Sequence, residues 1–280
     1  MKKLLIPILL ALFTACERAD LTDDGNVTIS FIPTTADITR GEIIIGDYFS
    51  KLNIQLFTAD GEKVFSTVKT QTSTDPNFGT LNVDLEPGTY TVVAVGHSST
   101  KSASIKSAEL VQFTATDGQK LTDTFCHCGK VIVDEESGFH ELRMNRVTAM
   151  IRFVLIDEDI PEDFDHLRID YSGGSANFSP TTMEGCTKSN QSELRLPATE
   201  YQVFTFPYLS SEGNLKVTLN ALDANGNILK HLMLTDVPIT RNRITTYTGT
   251  LFADGGGTIS QTAFGITVNA DWDGEDFYTF

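Results

Sequence analysis

The sequence predicts an all-β fold of two tandem β-sandwich domains, and three features carry that expectation. Apolar and polar residues alternate over several runs of five to seven residues, which is the period of a half-buried strand. Turn signals separate these runs at spacings of roughly 8–12 residues without amphipathic helices between them, the pattern of sandwiches and barrels. The chain also holds 36 threonines, and β-branched side chains favour pleated surfaces over helices. Its 280 residues suit one large or two ordinary domains.

The first segment is an address rather than a folded element. Met1, Lys2 and Lys3 form a basic start, residues 4–13 an apolar run, and Thr14, Ala15 and Cys16 a small-residue close. The run is too short to span a bilayer as a helix and has the shape of a secretory leader. Phe13-Thr14-Ala15-Cys16 resembles a bacterial lipoprotein box, in which the cysteine becomes the acylated first residue of the mature chain. Residues 1–15 are therefore expected to be a lipoprotein signal peptide, with Cys16 as the lipid attachment site. Several acyl chains hold a protein durably where one holds it weakly. Residues 16–25 carry Glu17, Asp20, Asp23 and Asp24, a polar tether.

The strands follow in order. Val27, Ile29 and Phe31 alternate with Thr28, Ser30 and the less polar Ile32. Leu52, Ile54 and Leu56 alternate with Asn53 and Gln55, and Asp60-Gly61 then marks a hairpin. Leu81, Val83 and Leu85 alternate with Asn82 and Asp84. Pro87-Gly88 has the composition of a type II turn. Residues 90–95 are apolar on both faces, as a central strand would be. In the second half Leu215, Val217 and Leu219 alternate with Lys216, Thr218 and Asn220, and Asn225-Gly226 has the composition of a type I′ turn. Residues 264–272 read as a final strand carrying Trp272, which is expected to pack in the core or at an edge. Residues 159–168 could form one short helical turn.

A weak internal repeat supports two related sandwiches. Residues 81–94 and 193–206 each read as a strand, a Pro-containing stretch, a tyrosine (Tyr90 or Tyr201) and a strongly apolar strand. Residues 56–64 and 222–229 form a second matching pair. The polar run at residues 134–138 places the seam, giving domains 26–136 and 137–280.

Composition excludes several functions. The formal net charge is −16, and losing Lys2 and Lys3 with the leader makes it −18. Nucleic-acid binding wants a basic face, so that class is nearly excluded. Cys126, Cys128 and Cys186 are three thiols, an odd number, so no complete disulfide framework is implied. A bridge from Cys126 or Cys128 to Cys186 is left open. Cys126-His127-Cys128 is too closely spaced for an ordinary zinc motif; the two cysteines are expected on one face of a strand, with His127 on the other. The acidic clusters at Asp157, Glu158, Asp159, Glu162, Asp163 and Asp165, and at Asp271, Asp273, Glu275 and Asp276, could bind calcium, but neither has EF-hand spacing. They read as solvated loops. No phosphate loop, nucleophile elbow or metal-ligand pattern occurs, so neither an enzyme nor a cofactor is expected.

Three stretches resemble a known family: residues 142–153, which look like the strand opening a second domain; residues 85–95, a turn and central strand; and residues 242–252. The chain is similar over residues 27–280 to the fimbrillin superfamily, in particular to FimB/Mfa-type fimbrial anchor and accessory lipoproteins. The resemblance implies two transthyretin-like (Greek-key) β-sandwich domains. It also implies pilin-like partners joined by β-strand addition, and a lipoprotein of the outer membrane surface that supports adhesion. In polymerising members a protease cuts after an arginine near the first strand. Arg40-Gly41 is the candidate step here, although nothing around it beyond the arginine marks it for cleavage. The expected mature form is therefore an anchor beginning at acylated Cys16. The alternative function is a glycan-binding surface lipoprotein of a nutrient-uptake system, which an exposed aromatic platform would favour; the chain has a single Trp.

Overall fold

A computed structural model describes residues 25–34, 43–114, 121–135, 138–253 and 272–280. Among these the chain is built from strands. The first half supplies β1 (Val27–Pro33), β2 (Lys51–Phe57), β3 (Lys69–Thr72), β4 (Thr80–Val83), β5 (Gly88–His97), β6 (Ser104–Ser107), β7 (Leu110–Gln112), β8 (Thr124–Val133) and β9 (Phe139–Arg146). The second half supplies β10 (Ala149–Leu155), β11 (His166–Ser175), β12 (Asn177–Ser179), β13 (Glu184–Gly185), β14 (Lys188–Arg195) and β15 (Glu200–Thr205). It continues with β16 (Glu212–Leu222), β17 (Ile228–Thr240), β18 (Ile244–Gly249) and β19 (Glu275–Thr279).

The first half forms one sheet of seven strands in the order β3-β2-β5-β8-β9-β1-β4. β8 meets β9 over only two residue pairs, Phe125 with Arg146 and Cys126 with Asn145. At that narrow joint the sheet folds over itself, so that β4-β1-β9 covers β3-β2-β5-β8. The alternation seen in the sequence is what fills the space between. Val27, Ile29 and Phe31 of β1 meet Leu52, Ile54 and Leu56 of β2, Leu81 and Val83 of β4, and Phe125 of β8 in one buried cluster. Each such side chain contributes about 1.5–3 kcal/mol by leaving water.

The second half repeats this plan with separate sheets, β15-β10-β18-β19 and β14-β11-β16-β17. A core of Ile151, Phe153, Leu167, Ile169, Val217 and Leu219 lies between them. The strand orders match between halves: β4-β1-β9 corresponds to β15-β10-β18, and β3-β2-β5-β8 to β14-β11-β16-β17. In each half the first strand pairs antiparallel on one side and parallel on the other, β1 with β9 and β10 with β18. Of the repeat read from sequence, the pair at residues 56–64 and 222–229 sets β2 against β16, which the strand orders do not equate, and the pair at residues 81–94 and 193–206 is displaced by one strand. The latter pair aligned β4-β5 with β14-β15, whereas the topology equates β4 with β15 and β5 with β16. The tyrosines that suggested the match make different bonds: Tyr90 donates its hydroxyl hydrogen to the Glu86 carbonyl at 3.0 Å, and the Tyr201 hydroxyl accepts from the Ala198 N–H at 2.7 Å.

A third core explains the doubly apolar strand. Val92 and Ala94 of β5 face the first sandwich, while Val93 and Val95 face outward. There they meet Val111, Phe178, Phe204, Phe206, Ile244 and Trp272, drawn from both halves. A small sheet in the order β13-β12-β7-β6 also crosses the junction, with Phe178 paired to Val111. Cys126 and Cys128 lie on this face of β8, as alternation predicted, and Cys126, Cys128 and Cys186 are free thiols.

Several local expectations need correction. Phe139–Arg146, placed beyond the expected seam, is hydrogen-bonded into the sheet of the first half. Gly88 does not take the positive φ of a type II turn; it begins β5 opposite Val133. Gly226 has φ 82, but Asn225 has no positive φ, so the turn is not type I′. Instead the Asp223 carboxylate accepts from the Asn225 and Asn227 N–H groups at 2.9 and 2.8 Å, a side-chain turn that replaces the second left-handed residue. The expected helical stretch at 159–168 is a turn closed by the Phe164 N–H on the Pro161 carbonyl at 3.1 Å. Of the strand expected at residues 264–272, residues 264–271 lie outside the described residues, and Trp272 itself precedes β19.

Candidate assembly site

The features nearest the leader are β1 and the strand it leans on, β9. β1 is held between β9 and β4, with Thr28 opposite Phe139 on one side and Asn82 on the other. Its ends are pinned. The Asn26 side-chain amide donates to the Leu85 carbonyl at 2.7 Å and accepts from the Leu85 N–H at 2.9 Å. At the far end the Thr34 N–H donates to the Met144 carbonyl at 2.7 Å. Gly25 lies so close to β4 that a Cβ there would come within 2.5 Å of the Val83 nitrogen, so the strand enters its seat through a gap only glycine fits. The residues preceding β1 lead back to Cys16. Arg40 and Gly41 fall between Thr34 and the next described residue, Ile43. All three candidate positions, Cys16, Arg40 and Gly41, lie outside the described residues.

β9 has a paired side and an open one. The carbonyls of Gly138 and Met144 accept from β1, so even-numbered carbonyls of β9 turn inward to it. The odd-numbered groups turn the other way, where β8 pairs with residues 145 and 146 alone. In between, the protonated Nδ1 of His127 donates to the Arg143 carbonyl at 2.8 Å. Burial lowers the His127 pKa, and the bond to Arg143 opposes that shift. Phe139 at the start of this edge is 63% exposed, and Ile132 across the hairpin 65%. In the second half the corresponding side of β18 is covered along five residues, 244–248, by β19 running parallel to it. No described strand takes the equivalent place beside residues 139–143.

Three edges of the second half are defended. β14 turns Glu193 into the core, where the Tyr171 hydroxyl donates to it at 2.8 Å and Arg195 pairs with it. β19 likewise buries Glu275 against Arg152 at 2.9 Å. Inward charges and a proline, such as Pro238 of β17, are devices that discourage edge-to-edge pairing.

A buried arginine ties the site to the second half. Arg146, the last residue of β9, bonds Asp123 at 2.9 and 3.0 Å and donates to the Asn242 side-chain oxygen at 2.8 Å. Its guanidinium lies between the rings of Phe125, at 4.6 Å, and Trp272, at 3.9 Å. Trp272 is thus a packing residue, as expected. Nothing in the sequence marked Arg146, because its partners are 23, 96 and 126 positions away in the chain.

Members of both acidic clusters have structural roles. Asp157 accepts from the N–H groups of Leu251, Phe252 and Ala253 and so closes the loop after β18. Asp276 pairs with Arg243 at 3.0 Å. Among the described residues no group of three or more His, Cys, Asp or Glu is placed to hold a metal ion. Nor is any described helix long and apolar enough to cross a membrane.

A family model described as fimbrillin-A associated anchor proteins Mfa1 and Mfa2 matches residues 15–276. No curated protein matches the sequence. Among solved structures, a proposed polysaccharide-binding protein of Bacteroides thetaiotaomicron is similar at 10% identity and a TM-score of 0.50, covering 76% of this chain and 80% of that one. A proposed adhesin of Bacteroides ovatus is similar at 14% identity and a TM-score of 0.48, covering 74% and 75%. The fimbrial anchor protein Mfa2 of Porphyromonas gingivalis is similar at 13% identity and a TM-score of 0.42, covering 75% and 81%.

Proposed function

The chain belongs to the family of fimbrillin-A associated anchor proteins, and from that premise we propose that it is a lipid-held fimbrial anchor whose first sandwich accepts a strand from a neighbouring subunit along β9. Membership makes it a structural component of a surface fimbria in a family without catalytic activity. The finer reading has four parts. Acyl chains on Cys16 hold the protein to the outer membrane, and the acidic tether of residues 16–25 lifts the sandwiches clear of it. Arg40 is left uncut, so that β1 stays covalently joined both to the lipid and to the body. The two halves are transthyretin-like sandwiches, the first ending with β9 rather than at residue 136. The adhesive assembly grows through main-chain pairing at the open side of β9.

One observation carries the last part. The second half has an eighth strand, β19, beside β18, whereas no described strand fills the matching place beside β9. An added strand would satisfy the outward backbone groups of Phe139 and Glu141 and the Arg143 N–H, the Arg143 carbonyl being bonded by His127, and its side chains would cover Phe139. This is the physics of strand addition, in which main-chain bonds supply affinity and alternate side chains supply specificity. Keeping β1 in place has a mechanical consequence. Any load between lipid and fimbria passes through β1, which resists it in shear against both β9 and β4.

The test replaces Glu141 with Pro. Its N–H points to the open side, so Glu141→Pro removes a donor from the free edge and none from the pairing with β1. Pull-down of the full chain from native membranes should recover fimbrillin-like neighbours with the wild type and far fewer with the variant. Equal recovery at equal thermal stability would rule out the β9 edge.

A further inference from the structure

The protein is strongly acidic, with 37 Asp and Glu against 21 Lys and Arg, so an arginine without a carboxylate is unexpected. Six of the seven arginines among the described residues have one within ion-pair distance: Arg143, Arg146, Arg152, Arg168, Arg195 and Arg243. The seventh, Arg241, has none among the described residues. It lines a cleft of about 490 Å³ where the two halves meet, a volume within the range of small-molecule sites, about 300–1,000 Å³.

Its guanidinium is aimed rather than loose. One nitrogen, Nη1, donates to the Met183 carbonyl at 3.1 Å, and the backbone N–H is fixed on the Ser211 carbonyl at 2.8 Å. The other donors of the fork keep their capacity for a ligand. Both Met183 and Asn242 line the cleft with φ of 59. Left-handed backbone is costly for a residue such as methionine, and such outliers concentrate at ligand clamps. Here the strained residue is the one that presents its carbonyl to Arg241.

The remaining walls define the chemistry. Thr34 and Asn145 from the first half and Ser211 and Thr240 from the second line the cleft, and Asp273 adds a carboxylate. Arg146 also lines it, but its charge is already matched by Asp123. Hydroxyls, amides and one carboxylate suit a ring bearing several hydroxyl groups. A single free guanidinium suits one planar carboxylate, which it can grip with two parallel hydrogen bonds. Asp273 opposes ligands of higher negative charge. An acidic peptide would want an apolar wall for its backbone and neighbouring side chains, and Met183 is the sole apolar lining residue among those described.

We infer that this cleft is a binding site for a carboxylate-bearing sugar, a uronate at the end of or within a glycan, with Arg241 as the residue that selects the acid. The site touches the end of β9 through Asn145 and Arg146 but lies outside the open stretch at residues 139–143, and it does not depend on strand addition.

Calorimetric titration of the full chain with galacturonate, galactose, inorganic phosphate and a glutamate-containing peptide tests it. Galacturonate should bind saturably and galactose about tenfold or more weaker, since a hydrogen bond to a charged group contributes about 1.5–3 kcal/mol. Arg241→Gln should abolish that preference without lowering the melting temperature. Asn145→Trp, a change at an exposed wall position, should block the cleft while sparing the Arg241–Met183 bond. Equal binding of both sugars, phosphate competing as well as galacturonate, binding of the peptide alone, or no response to either variant would each overturn the assignment.

Discussion

Acidification should weaken the protein through His97, and the size of the effect can be worked from its surroundings. His97 ends β5 with no exposed surface. Its Nε2 bonds the Asn53 side-chain oxygen at 2.8 Å, its Nδ1 accepts from the Ser99 N–H at 3.1 Å, and the Phe113 ring stands edge-on at 5.1 Å. Burial, and secondarily the positive charge of Lys51, lower its pKa from 6.5 to about 3. The folded state therefore keeps His97 neutral while the unfolded chain takes up a proton below its ordinary pKa. The stability this group contributes is complete above about pH 6.5, declines as the pH falls, and levels off near about pH 3. At about 1.4 kcal/mol per pH unit, the loss is about 3 kcal/mol by pH 4 and at most about 5 in total. Asp123 and Glu193, whose pKa values burial raises, act in the opposite direction, because the folded state binds their protons more readily. The assay is accordingly a difference. Urea unfolding of the wild type and of His97→Gln is compared at about pH 7 and about pH 4. The variant starts less stable and should lose less on acidification, by about 3 kcal/mol. Parallel losses in the two proteins would refute the reasoning.

Four further outcomes are expected. Cys16→Ser should move the protein from the membrane fraction to the soluble one, and a fatty-acid analogue should label only the wild type. Mass spectrometry of protein sheared from intact cells should find a mature form beginning at Cys16; a dominant species beginning at Gly41 would mean that Arg40 is cut and β1 released. Arg146→Ala strands the half-buried Asp123 carboxylate and should cost about 3 kcal/mol in chemical denaturation. Tyr171→Phe removes the hydroxyl that donates to Glu193 inside the second core, and should cost about 1–3 kcal/mol in the same measurement.

The sequence by itself determined which residues would be strands and which of their faces would be dry. Val27, Ile29 and Phe31 are buried because alternation has the period of the pleat. Residues 92–95 are buried on both faces because their apolar run has no polar partner to expose. Cys126 and Cys128 share a face for the same reason. The family was also legible, since it depends on a pattern of strands. Alternation does not say which strand lies beside which. β1 pairs with β9 across more than a hundred residues, and the cost of closing such a loop grows only slowly with its length, so nothing local forbids or announces the pairing. That is why residues 139–146 fall beyond the seam expected at residues 134–138, and why residues 81–94 match residues 193–206 one strand out of step. The turn at Gly88 differed because cross-strand pairing with Val133 outweighed the preference of the dipeptide, and the one at Asn225 because the neighbouring Asp223 carboxylate accepts from the Asn225 and Asn227 N–H groups. The buried Arg146, the side of β9 left open among the described residues and Arg241, which has no carboxylate partner among them, were decided wholly by tertiary structure. Each is a relation between residues far apart in the chain, and its energy exists only once the chain has folded.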